Sequence, residues 1–190
     1  KITTLREQVA GKNIILALSG GTDSSTVAYL LKNAMSPDTK ILGVYIKGID
    51  RPEDEAHVLK YFGTQDWLKV KIVNATKQFL QALAGKTKMK DKRLVMRGIY
   101  KEILESEAKN FHADFSESGG GYDSGARKAE IKIHHNVNLN FSLPELQPLA
   151  DCVKDTGRQL GRSLGVPEVL LSRHPFPGPG LVVRIEGEIT

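Results

Sequence analysis

NIILALSGGTDSS, residues 13–25, decides the fold. Its first half, Asn13 to Leu18, is a short apolar run that includes the β-branched pair Ile14 and Ile15. Such a run reads as a strand buried on both faces, the kind found inside a parallel sheet. Its second half, Ser19 to Ser25, has no apolar residue and runs straight into an apolar-periodic helix. That helix is expected from about Ser24 to Met35, with Val27, Leu30 and Leu31 on one face. Strand, glycine turn and helix together make an anion trap. The glycines, Gly20 and Gly21, let the backbone approach an anion and take positive φ angles. The helix aims unpaired N–H groups and the positive end of its dipole at the same point. Ser19, Thr22, Ser24 and Ser25 complete the loop, the serines adding hydroxyl donors. Asp23 can hold a magnesium ion that bridges phosphates. Two commoner phosphate loops are excluded. No lysine stands where GxxxxGK[ST] requires one, and GxGxxG is absent. The plain alternative is a glycine turn with a serine N-cap, and the strand before and helix after weigh against it.

The alternation continues outward. Residues 3–10 read as a short amphipathic helix. Ser36-Pro37-Asp38 ends the helix after the loop. Ile41 to Ile46 is a second buried strand. Pro52 to Phe62 reads as a helix with Pro52 at its first position, acids in its first turn and Gly63 as its stop. Leu68 to Val73 is a third strand and Thr76 to Leu83 a short helix. Asp91 to Asn110 is a long helix carrying Leu94, Ile99, Tyr100 and Leu104. This order predicts an α/β fold, a doubly wound parallel sheet with helices on both faces. Beyond Asn110 the regularity fades. Residues 115–128 read as a flexible glycine and serine-rich stretch. Residues 129–135 fit a strand or an ordered loop edge. Residues 151–164 read as a helix stopped by Gly165, with Pro167 beyond. Pro175 to Gly180, PFPGPG, suits neither a helix nor a central strand. Leu181 to Ile185 reads as a last strand.

Composition narrows the partners. The chain has 190 residues, a formal net charge of +5 and 40% hydrophobic residues. That is an ordinary globular balance whose excess charge favours anionic partners. No apolar run approaches the roughly 20 residues a membrane helix needs, so no membrane partner is expected. The N-terminus does not read as a signal peptide. A single cysteine, Cys152, excludes an intrachain disulfide framework and suits a reducing compartment, so the expected location is cytoplasmic. Much of the charge sits in KTKMKDKRLVMR, residues 86–97. This run fits a solvated face or a phosphate-seeking segment. It lacks interleaved aromatics, so nucleic acid is not the expected partner.

Five segments carry a family resemblance. SGGTDSS resembles the PP-loop, SGGxDSS, of the ATP pyrophosphatases. Those enzymes cut ATP between its α and β phosphates, and the loop holds the departing pyrophosphate. Ser172 to Leu181, SRHPFPGPGL, resembles the GMP synthetase motif that opens a C-terminal dimerisation region. The resemblance implies that Arg173 and His174 face a partner or a nucleotide phosphate. Ile131 to Val137, IKIHHNV, resembles that family's lid segment, IK[ST]HHNV. Lys132 would then place its charge on the reacting phosphate or the purine carbonyl. His134 and His135 would donate to phosphates or shuttle protons. Adjacent histidines in a strand point to opposite sides, so a structural role for either stays open. Lys92-Arg93 resembles the stretch KRK-I-G, whose arginine contacts xanthosine monophosphate (XMP). Here Leu94 replaces the second lysine and Arg97-Gly98 inverts the usual order. Lys154-Asp155 with Arg158 resembles part of a KDEVR helix of structural character.

The resemblance implies an enzyme that uses ATP and Mg²⁺ to aminate XMP to GMP through an O2-adenylated intermediate. It implies ammonia as co-substrate, a glutamine amidotransferase domain or subunit, and a homodimer formed through the C-terminal region. It also divides the chain into an ATP pyrophosphatase domain, residues 1–171, and the start of a dimerisation region, residues 172–190. Two family features are not found. The second strand usually ends in VDNG, but Ile46 is followed by Lys47-Gly48-Ile49. A QGT segment expected near residues 111–118 is absent. The gaps fit either loop segments left out of this sequence or a divergent relative that holds ATP without turnover. The basic run keeps a third reading, another PP-loop enzyme such as a tRNA-modifying one.

Overall fold

The computed structural model describes residues 2–117, 142–150, 152, 154–173 and 185–188. Helix α1 (Ile2–Val9) leads into strand β1 (Asn13–Ala17), helix α2 (Thr22–Ala34), strand β2 (Lys40–Lys47) and helix α3 (Asp54–Phe62). Strand β3 (Lys69–Asn74), helices α4 (Thr76–Leu83) and α5 (Met89–Phe111) and strand β4 (Phe115–Glu117) follow. Helices α6 (Lys154–Ser163) and α7 (Glu168–Leu171) come last. The strands form one parallel sheet in the order β3-β2-β1-β4. A bridge from Ser116 to Glu145 continues the sheet beyond β4.

Alternation along the strands divides the interior in two. Ile14, Leu16, Ile41 and Tyr45 face one core, which α1, α2, α3, α6 and α7 cover. Ile15, Leu42, Val44 and Ile46 face the other, which α4 and α5 cover. The doubly wound sheet expected from the sequence is therefore present, with helices on both faces. Val27, Leu30 and Leu31 of α2 are all buried. Tyr29 of the same helix packs edge-on against Phe62 and Trp67. Helix α6 ends in a paired hydrogen-bond cap. Val166 N–H donates to the Gly161 carbonyl at 3.0 Å and Gly165 N–H to the Arg162 carbonyl at 3.1 Å, with Gly165 at φ +81°. A positive φ at that position is what glycine supplies most easily.

Several local expectations need correction. Phe115–Glu117 is not part of a flexible stretch; it is β4, in register with Ile14 to Leu16. Pro52 lies in the turn before α3, which begins at Asp54. Leu94 is 45% exposed, and Met96 fills the core in its place. Helix α7 has no counterpart in the sequence reading. The segments 129–135 and 181–184 fall outside the described residues. Among the described residues, no helix is long and apolar enough to cross a membrane.

Candidate active site

Strand order reverses at β1. The chain passes from β1 to β2 and β3 on one side, then returns to place β4 on the other. In open α/β sheets such a reversal opens a crevice at the carboxyl ends of the strands. Residues 19–25 leave β1 at that point. Gly20 sits at φ +68°, and a Cβ there would lie 2.9 Å from Val58 Cγ2 and 3.2 Å from His57 Cδ2. Both the conformation and the space demand glycine. Gly21 is the N-cap of α2 and, lacking a side chain, makes no side-chain capping hydrogen bond. The first turn is thus open to an anion. Ser19 and Ser24 share a hydroxyl contact of 3.0 Å, and Gly21 N–H donates to Ser19 Oγ at 3.3 Å. Ser25 is fully buried, and its Oγ has no hydrogen-bond partner among the described residues. Asp23 lies in the first turn. Thr22 turns the other way, its hydroxyl shared between the carbonyls of Leu170 at 3.3 Å and Leu171 at 3.2 Å. The hydroxyls of Ser19 and Ser24 are thus bonded to each other and to the loop's backbone, and Thr22 braces the loop against α7.

Two neighbours of the loop were not singled out from sequence. Asp54, in the first turn of α3, pairs with the Arg173 guanidinium. The two side chains are only 11% and 15% exposed. Arg173 Nη1 also donates to the Gly20 carbonyl at 3.4 Å. His57 lies one turn along α3, with Nε2 shielded from water and without a hydrogen bond among the described residues. Burial, helped by the Arg173 charge, holds the His57 imidazole below its usual range. The spacing of three residues from Asp54 to His57 puts both on one face of α3. That spacing was the available signal, hidden behind an ordinary acidic first turn.

An acid stands three residues beyond the end of β2. Asp50 folds back so that its carboxylate accepts the Gly48 N–H and the Tyr45 hydroxyl. Burial raises the Asp50 carboxyl above its usual range, although both hydrogen bonds oppose the shift. Lys47 itself is tied to Glu55 at 2.6 Å.

Helix α5 brings the basic run toward the same edge. Its last residues meet Asn13 at the start of β1, where Asn13 Nδ2 donates to the His112 carbonyl at 3.1 Å. Its first turn accordingly lies toward the carboxyl ends of the strands. Arg93 is half-buried there. Lys92 is fully buried, its ammonium donating to the carbonyls of Ile185 at 2.7 Å and Gly187 at 2.8 Å. Lys88 and Lys90 are exposed, as a solvated face requires. The structure thus brings the residues 19–25 loop and Arg173 together. Lys132, His134, His135 and His174 lie outside the described residues.

A family model described as NAD synthase matches residues 2–111. GMP synthase (glutamine-hydrolyzing) of Synechococcus sp. (strain CC9902) is 38% identical over 209 positions, covering 100% of this chain and 39% of that protein. GMP synthase (glutamine-hydrolyzing) of Thermotoga petrophila is 37% identical over 201 positions, covering 100% of this chain and 40% of that protein. The chain therefore spans about two fifths of the length of these curated relatives. Both alignments are longer than the 190 residues of this chain, so it lacks positions that the relatives have. Among solved structures, NMN synthetase from Francisella tularensis superposes with a TM-score of 0.65 at 15% identity, covering 94% of this chain and 75% of that one. At that identity the likeness is one of fold.

Proposed function

The chain belongs to the NAD synthase family, and from that membership we propose that it is the ATP-splitting portion of a GMP synthase. The observation that carries this reading is the sequence match to GMP synthases, which runs the full length of the chain. In the proposed reaction O2 of XMP attacks the α-phosphorus of ATP, and the bond to the bridging oxygen of pyrophosphate breaks. Ammonia then adds at C2, AMP leaves, and GMP results. No side-chain nucleophile is needed, so positioning and electrostatics carry the catalysis.

The loop suits a pyrophosphate leaving group. Gly20 and Gly21 keep side chains out of the way, α2 presents its first N–H groups, and Ser19, Ser24 and Ser25 supply hydroxyls. Ser25 Oγ, buried without a partner among the described residues, would be a donor for such a ligand. Asp23 would hold Mg²⁺, as a single carboxylate commonly does when phosphates and water complete the shell. Bound there, the ion would neutralise phosphate charge. Arg93 would take XMP. Lys132 would act on the reacting phosphate or the purine carbonyl, with His134, His135 and His174 beside the nucleotides. A glutamine amidotransferase domain or subunit would supply ammonia. Residues 1–171 would form the ATP pyrophosphatase domain and residues 172–190 the start of a dimerisation region that builds a homodimer. A cytoplasmic location suits a free cysteine and free nucleotides.

The test is pyrophosphate release from ATP by the full-length protein. Release should require XMP, and added ammonia should yield GMP. Asp23→Ala should lower the rate at least about 100-fold, as loss of a transition-state electrostatic contact does. Release driven by another acceptor, with none from XMP, overturns the assignment. The positions this chain lacks favour one second reading, a relative that binds ATP without turnover. Calorimetric ATP binding with no AMP formed would select it.

A further inference from the structure

Sequence resemblance points Arg173 at a ligand, but the structure gives it different partners. Its guanidinium is engaged on two sides, by the Asp54 carboxylate and by the Gly20 carbonyl. The peptide that joins Gly20 to Gly21 is trans, so its carbonyl and its N–H point in opposite directions. A carbonyl directed at Arg173 therefore turns the Gly21 N–H away from Arg173, toward the hollow of the loop. There it now meets Ser19 Oγ at 3.3 Å, a long contact that a phosphate oxygen would readily replace. Two residues on, Thr22 is tied to Leu170 and Leu171 of α7. One short segment, residues 170–173, thus grips the loop at the Gly20–Gly21 peptide and again just after it, at Thr22.

We propose that Arg173, held in place by Asp54, is a positioning residue that acts through the Gly20–Gly21 peptide and presets the loop for the polyphosphate of ATP. This inference rests on the ATP-cleaving reading above. Asp54 fixes one side of the guanidinium fork, and the other side orients the peptide. Lysine has no such fork, so Arg173→Lys keeps the charge while losing the simultaneous contacts. The clamp also joins α3, the loop and the end of α7. Any movement of residues 170–173 would then be felt at the phosphate site.

Two substitutions in the full-length protein separate positioning from direct phosphate contact. Arg173→Lys and Asp54→Asn are each assayed for kcat and KM for ATP in XMP-dependent pyrophosphate release. Hydrogen exchange across residues 19–25 is followed without nucleotide. Under the proposal both variants lose about tenfold in kcat/KM, the order of one charge-assisted contact. Both also exchange faster across the loop, and the double variant is little worse than either single one. If Arg173 instead touches phosphate directly, Asp54→Asn frees its charge and leaves activity unchanged or higher, which overturns the proposal. An Arg173→Lys variant with wild-type exchange and kinetics overturns it too. Should Asp54→Asn fail to fold, Asp54→Glu keeps the charge, displaces the carboxylate and serves in the same comparison. The exchange readout needs no turnover. A wild-type protein that releases no XMP-dependent pyrophosphate sinks the functional reading, while loop exchange still decides whether the clamp exists.

Discussion

At His57, burial and charge act in the same direction. The imidazole is packed beside the loop, and both its surroundings and the Arg173 guanidinium disfavour a second proton. The Gly20 backbone and Asp54 oppose this less strongly. The folded imidazole therefore takes up its proton at a lower pH than in the unfolded chain, where protonation begins near pH 6.5. In that window the unfolded state binds more protons, so stability rises with pH. Stability should be complete above about pH 6.5 and decline as pH falls through the lowered folded pKa, with a slope from this one group of at most about 1.4 kcal/mol per pH unit. Urea unfolding of wild type and His57→Gln between pH 7.5 and 5 measures it. The variant should lose less stability over that range, and equal losses would mean His57 is already free to titrate.

Lys92 shows what α5 does with charge. Its stem lies on the same helical stripe as Met96, Ile99 and Ile103, all buried. Its ammonium reaches past that stripe to two backbone carbonyls of residues 185–187. Hydrogen bonds from a charged donor contribute about 1.5–3 kcal/mol each. Lys92→Met should keep the stem's packing and release the segment, raising hydrogen exchange across residues 185–188 at least about tenfold. Unchanged exchange would show that other contacts hold the segment. From sequence this lysine was one of several in a basic run, because position along a charge run does not reveal which side chain finds carbonyls 93 and 95 residues away. The same limit hid β4. Phe115-Ser116-Glu117 has one apolar residue, and Ser116 and Glu117 are buried where β1 pairs on one side and residues 144–146 bond to Ser116 on the other. Tertiary pairing there overrides a composition that reads as loop. The strands and helices from Asn13 to Phe111 were legible because their apolar periods are long and uninterrupted.

At the scale of the whole molecule, the sheet separates two cores and carries the residues 19–25 loop at one edge. The loop of residues 19–25 was legible because its chemistry is local: glycines, hydroxyls and a helix start in seven consecutive positions. The clamp on it was not, since Arg173 lies 119 residues beyond Asp54 and only folding joins them. The separation of the cores has a mechanical consequence that adjacent residues can test. Ile14 and Ile15 are neighbours in the chain, yet strand alternation sends them to opposite faces, the first to the core under α2 and the second to the core under α5. Each is nearly or fully buried, at 0% and 2% exposure. Ile→Val at either site should cost about 0.5–1.5 kcal/mol. If the sheet insulates the cores, the double variant should lose the sum of the two within about 0.5 kcal/mol, as independent sites do. Coupling between the two faces would appear as a larger departure. Urea unfolding of the four proteins gives the answer, provided the m-value stays constant, because a change in m would signal an altered unfolded state or a broken two-state transition.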